Sequence, residues 1–200
     1  MNLNFKFKGD RDYVHGTDIY TRLVEVLKQE YEPLEMLELS FHKVANKQLK
    51  MLVLEQEDHS LDFSDQACIF KFKHKGQKYL VGLSETDENV KERYDYGESE
   101  IEQMAVIHAQ EKRIRLAPKD KFSNIELVVA MNKILLSHIL PDPGKWYFAR
   151  LQVSEDVNPI KASNIEIQLI KNIGSKITKS SIAFDGDIIG NIFFSKVPQQ

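Results

Sequence analysis

The stretch RDYVHGTDIY, residues 11–20, gathers Asp12, His15, Gly16, Thr17 and Asp18 just ahead of an apolar run. These residue types suit acid–base chemistry. The imidazole of His15 has an unperturbed pKa near neutral, which fits it to move a proton as general base or acid. Asp12, three residues upstream, could orient that imidazole or activate a water. Gly16, Thr17 and Asp18 fall where a helix should begin, and backbone N–H groups at a helix start can hold a developing oxyanion. Each residue also has a purely local reading. His15 can pack or hydrogen-bond within a turn, and Asp12 can accept turn hydrogen bonds. Thr17 or Asp18 is a good helix N-cap, worth about 1 kcal/mol without any substrate.

The elements that must position this cluster occur twice. Setting residue 5 over residue 114 without gaps aligns FKFKGDRDYVHGTDIYTRLVEVL with IRLAPKDKFSNIELVVAMNKILL. Identities are almost absent, but the apolar pattern coincides. Phe5 and Phe7 meet Ile114 and Leu116, Tyr13 meets Phe122, Ile19 and Tyr20 meet Val128 and Val129, and Val26 and Leu27 meet Leu135 and Leu136. Each copy opens with a short alternating stretch, passes a polar turn and enters a helix-like run. In the first helix Ile19, Leu23, Val26 and Leu27 form one apolar face; the second, IELVVAMNKILLSHIL, is apolar nearly all round and should be buried on most sides. Pro141, Pro143 and Gly144 mark its end.

Four strand candidates follow each helix: MLELSFHKV, QLKMLVLEQ, ACIFKFKH and QKYLVGLSE in the first half, and KWYFARLQV, SNIEIQLIKN, SKITKSSIAFD and DIIGNIFFSKV in the second. Gly76 in HKGQ and Gly186 in FDGD sit where tight hairpins require positive φ. DFSDQ, residues 62–66, reads as a loop. The predicted organisation is a first unit at 1–84, a charged connection or surface helix at 85–104, and a second unit at 105–200. One strand, one long helix and four antiparallel strands are most economically folded by wrapping the sheet around the helix. Setting two such units side by side hides exposed edges.

Bulk properties exclude several classes of function. The 200 residues are 42% hydrophobic and 28% charged, with 11 Phe and 7 Tyr to build a core. A net charge of -3 and a pI near 6.1 give no global reason to expect nucleic acid or an anionic membrane. The basic run KFKHKGQK alternates with aromatic residues, which could form a nucleic-acid or pantetheine-phosphate patch, but lysines on the outer face of a hairpin also discourage edge pairing, and that reading is the stronger. No apolar run approaches a membrane span, and the N-terminus lacks the apolar core of a signal peptide. Cys68 is the single cysteine, so an internal disulfide is excluded and a cytoplasmic setting is expected. The histidines show no metal-ligand spacing, and phosphate-binding loops and Gly-x-Ser-x-Gly elbows are absent. Neither a metal nor a cofactor is expected.

The repeated strand, long buried helix and antiparallel strands resemble the hot-dog fold of acyl thioesterases and hydroxyacyl dehydratases. The class is α+β, with two tandem hot-dog units as a pseudo-dimer within one chain. The likeness covers most of the chain and is closest in the second half. It implies work on acyl thioesters of coenzyme A or acyl carrier protein, by hydrolysis or by dehydration and hydration of the acyl chain. Family members often carry Asp-x-x-Gly-His in the turn before the central helix. Here the order is Asp12-Tyr13-Val14-His15-Gly16, and the second half has Lys121-Phe122-Ser123-Asn124. The resemblance therefore implies one histidine site per chain, with His15 and Asp12 catalytic and Gly16, Thr17, Asp18 and Asn124 around the substrate. Glu126, two places past the position matching His15, could face His15 from the other central helix; equally, an acid in a first helical turn complements the helix dipole. A non-catalytic acyl-binding or regulatory module, or an interaction domain, is the alternative. The resemblance also implies a monomeric pseudo-dimer or a homodimer.

Overall fold

The alternating segments become strands close to where the pattern places them. The computed structural model describes residues 1–55, 65–141 and 144–197. Of the loop expected at DFSDQ only the last two residues fall within the described residues, and Pro143 lies outside them. The chain divides into two units, Met1–Tyr96 and Gly97–Gln200.

In the first unit, β1 (Asn2–Leu3) and β2 (Phe7–Lys8) precede α1 (Gly16–Lys28). Then come β3 (Glu35–Phe41), β4 (Lys47–Glu55), β5 (Cys68–His74), β6 (Gln77–Asn89) and β7 (Arg93–Tyr94). The sheet runs β1-β4-β6-β5-β3, all antiparallel, while β2 and β7 form a separate parallel pair. On β5 the alternation is direct: Phe70 and Phe72 are buried while Lys71 is exposed. On α1, Ile19, Tyr20, Leu23, Val24, Val26 and Leu27 are buried, one apolar stripe against a polar remainder. Lys75 and Gly76 both have positive φ in the β5–β6 turn, the backbone a two-residue hairpin requires.

The second unit contains α2 (Glu98–Met104), β8 (Val106–His108), β9 (Arg113–Leu116) and α3 (Asn124–Ile139). They are followed by β10 (Lys145–Glu155), β11 (Ile165–Ile173), β12 (Ile177–Phe184) and β13 (Asp187–Val197). Its sheet runs β8-β9-β11-β12-β13-β10. As its composition predicts, α3 is buried on most sides, from Ile125 through Leu136. Register shifts within β10–β13, β11–β12 and β12–β13 mark bulges, which bend strands and increase their twist.

Two features differ from a simple repeat. The charged segment at 85–104 contains regular structure: Glu85–Asn89 extend β6, Arg93–Tyr94 form β7 and Glu98–Met104 form α2, where Ile101 is buried. The strand orders also differ. After the helix, the second strand of the first unit pairs with the fourth, whereas in the second unit it pairs with the third. The connection lengths explain this. Only Gly174–Lys176 separate β11 from β12, which makes them a hairpin, whereas twelve residues separate β4 from β5 and free β5 to lie elsewhere.

Candidate active site

The turn before α1 is held by backbone at both ends. The Val14 N–H donates to the Ala45 carbonyl at 2.7 Å, and the His15 carbonyl accepts from Asp18 and Ile19 at 3.0 and 3.1 Å. His15 is therefore the N-cap residue, in extended backbone at φ -74 and ψ 139, and its side chain makes no capping bond. This corrects the expectation that Thr17 or Asp18 caps the helix: both lie inside the first turn. Their side chains are engaged elsewhere, by a group that no local pattern places there.

That group is Lys8, wholly buried at 0% exposure. Its ammonium donates to Thr17 Oγ1 at 3.0 Å and to Asp18 Oδ1 at 3.1 Å. Thr17 is also buried, and its Oγ1 lies 2.7 Å from His15 Nδ1 and 3.1 Å from Asp18 Oδ1. Asp18 Oδ2 accepts from the Tyr94 hydroxyl at 2.7 Å. The Lys8 ammonium lies 4.3 Å from the Tyr96 ring centroid and 5.8 Å from that of Tyr94, so two aromatic faces and one carboxylate offset the loss of water around the charge. The β2–β7 pair builds this arrangement by setting Lys8 opposite Tyr94. It is closed by Phe7 N–H to Glu92 O and Gly9 N–H to Tyr94 O, each 2.9 Å. The Arg93 guanidinium ties the next residues, donating to the carbonyls of Gly9 and of Arg11, the latter at 2.7 Å.

Of the residues expected in this site, His15, Gly16, Thr17 and Asp18 are thus together. His15 and Gly16 are half-buried, and the His15 ring lies 6.4 Å from that of Tyr13. Asp12 is exposed. Lys8, Tyr94 and Tyr96 were not anticipated. A lysine in FKFK reads as an outward position, and the tyrosines fall in a charged segment that reads as a connection. The one available signal was the aromatic pair itself, two residues apart among charges.

The corresponding turn of the second unit is built differently. The Glu126 carboxylate folds back to accept from the Ser123 N–H at 2.8 Å and the Ser123 hydroxyl at 2.9 Å. This is the local, helix-initiating role open to an acid at that position. Asn124 is buried and donates its amide to the carbonyls of Val157 at 2.8 Å and Ile160 at 2.7 Å, while Asn158 Oδ1 accepts from the Ile125 N–H at 3.1 Å. Asn124 ties the 157–160 loop to the start of α3.

An open groove of about 570 Å³ in the first unit is lined by Lys6, Gln48, Lys91 and Glu92 among others, and by none of the expected site residues. Among the described residues no group of three or more His, Cys, Asp or Glu side chains is arranged to hold a metal ion. No helix among them is long and apolar enough to cross a membrane.

No family model and no curated protein matches the chain. Solved structures do. A TesB protein of Mycobacterium avium subsp. paratuberculosis is similar with a TM-score of 0.54 and 8% identity, over 97% of this chain and 91% of that one. The dehydratase domain of PpsC from Mycobacterium tuberculosis, solved in complex with C12:1-CoA, is similar with a TM-score of 0.51 and 9% identity, over 92% and 85%. A conserved hot-dog protein from Alicyclobacillus acidocaldarius is similar with a TM-score of 0.52 and 7% identity, over 94% and 89%. At these identities the likeness is one of fold: two hot-dog units in one chain.

Proposed function

We propose that the chain acts on acyl thioesters, of coenzyme A or of acyl carrier protein, with its reacting centre at the turn before α1. The observation that carries the reading is the half-buried His15 at the helix start, engaged at Nδ1 by Thr17 rather than spent on capping. The fold shared with a TesB protein and with a dehydratase domain solved with an acyl-CoA supports the substrate class. In hydrolysis the His15 ring takes a proton from water as the water oxygen attacks the thioester carbonyl carbon. The first-turn N–H groups at Gly16 and Thr17 stabilise the oxyanion. The C–S bond then breaks, and the imidazolium returns the proton to the departing thiolate. In dehydration the same ring takes a proton from the acyl α-carbon as the bond to the β-hydroxyl breaks, and that proton leaves with the hydroxyl as water; hydration is the reverse. Asp12 is the candidate partner acid, while Glu126 and Asn124 are engaged within the second unit.

A second reading, a non-catalytic acyl-binding or regulatory module, is favoured by the local engagement of Asn124 and Glu126. The two separate by experiment. Purified full-length protein is assayed against a panel of acyl-CoA thioesters, following free thiol and acyl-chain products. Under the first reading His15→Ala retains its fold and loses on the order of 100-fold or more in turnover. Unchanged turnover in that variant removes His15 from the chemistry. Thermal stabilisation by acyl-CoA without any turnover selects the second reading.

A further inference from the structure

The geometry points to a fixed protonation pattern at His15: Thr17, oriented by Lys8 and Asp18, keeps a proton on Nδ1, so Nε2 is the nitrogen at which this histidine gains and loses its proton. This deepens the proposed function but stands on the hydrogen-bond inventory alone.

The hydroxyl of Thr17 has one proton to give and two lone pairs to receive with. Three partners surround Oγ1: Lys8 Nζ at 3.0 Å, Asp18 Oδ1 at 3.1 Å and His15 Nδ1 at 2.7 Å. The ammonium can only donate, so it occupies one lone pair. The carboxylate can only accept, so it takes the hydroxyl proton. The remaining lone pair faces His15, and Nδ1 must supply the hydrogen. The opposite assignment, with Thr17 donating to Nδ1, would set an oxygen lone pair against Asp18 Oδ1 across 3.1 Å. It would leave unused an acceptor beside a buried donor network. Tyr94 reinforces the preferred direction by donating to Asp18 Oδ2 at 2.7 Å, which holds the carboxylate as an acceptor toward Thr17. The Tyr96 ring at 4.3 Å and the Tyr94 ring at 5.8 Å keep the Lys8 charge in place at the rear of the network. Which ring nitrogen works is commonly fixed by the bond its partner nitrogen makes, and here that bond runs to a threonine. Thr17 is thus a positioning residue, and Lys8, Asp18 and Tyr94 set its direction.

The test is long-range ¹H–¹⁵N correlation of the histidine rings in the full chain, through a pH titration, with His15 assigned from His15→Gln. In the wild type, Nδ1 should keep the shift of a protonated nitrogen throughout, and Nε2 alone should move between protonated and bare values. Thr17→Ser should preserve this pattern. In Thr17→Val the neutral ring should revert to the Nε2–H form that free imidazole prefers. A wild-type ring carrying its neutral-state proton on Nε2 overturns the inference, as does an Nδ1–H ring that persists in Thr17→Val. If Thr17→Val does not fold, the wild-type spectrum decides alone. The outcome is independent of turnover: an Nδ1–H ring in a protein without thioester activity would sink the proposed function only, and active protein with the Nε2–H form would sink this inference only.

Discussion

Lys8 carries the sharpest energetic consequence at the scale of single residues. A lysine at 0% exposure costs several kcal/mol to desolvate, and it persists because Asp18, Thr17 and two tyrosine rings compensate it together. Removing one partner is expected to be worse than removing both. Asp18→Ala takes the Asp18 carboxylate from the buried ammonium and should cost about 3 kcal/mol, toward the low end for a buried pair because Asp18 keeps 19% side-chain exposure. Adding Lys8→Met to that variant should recover part of the loss. Denaturant midpoints of the two single variants and the double variant read this directly, and strict additivity would count against a coupled pair. Cys68 illustrates the opposite fate of a potentially reactive group. Burial pushes its thiol up, away from the thiolate needed for nucleophilic work.

Strands and helices were the most legible part of the sequence. Among the described residues, the eight long strands, both central helices and the positive φ at Gly76 and Gly186 follow from period-2 and period-3.6 patterning with turn residues between them. What the pattern could not carry was pairing order. A strand alternates in the same way whichever neighbour it has, so the exchanged order of the two sheets depends on connection length and three-dimensional closure. Gly190 shows how tight one of these pairings is. It sits opposite Val153 in the β10–β13 ladder, where an added Cβ would overlap the Gln152 carbonyl oxygen and lie 2.8 Å from Val153 Cα. Both neighbours are backbone and cannot swing aside. Gly190→Ala should destabilise the protein by about 3 kcal/mol, checked by thermal or denaturant unfolding; a loss under 0.5 kcal/mol would contradict this packing.

For the molecule as a whole, the repeat is one of scaffold rather than of chemistry. One turn holds a lysine–threonine–aspartate–histidine network. Its counterpart spends Glu126 on Ser123 and Asn124 on the 157–160 loop. A two-unit chain with one acid–base turn is expected to bind one thioester, not two. Calorimetric titration with a non-hydrolysable acyl-CoA thioether should give a stoichiometry near one per chain. Two equivalent sites would refute the assignment of chemistry to the first turn alone.

The sequence by itself determined the two-unit α+β layout, the amphipathic first helix, the buried second helix and the adjacency of His15, Thr17 and Asp18, because each is written in local periodicity or adjacency. Tertiary structure decided the rest. It brought Lys8 and Tyr94 from two short strands, more than eighty positions apart, to one aspartate, and it set Thr17 between Lys8 and His15 rather than at the helix cap. The reason is physical: a charge enters a protein interior only where several distant groups arrive to compensate it, and no local pattern records where they meet.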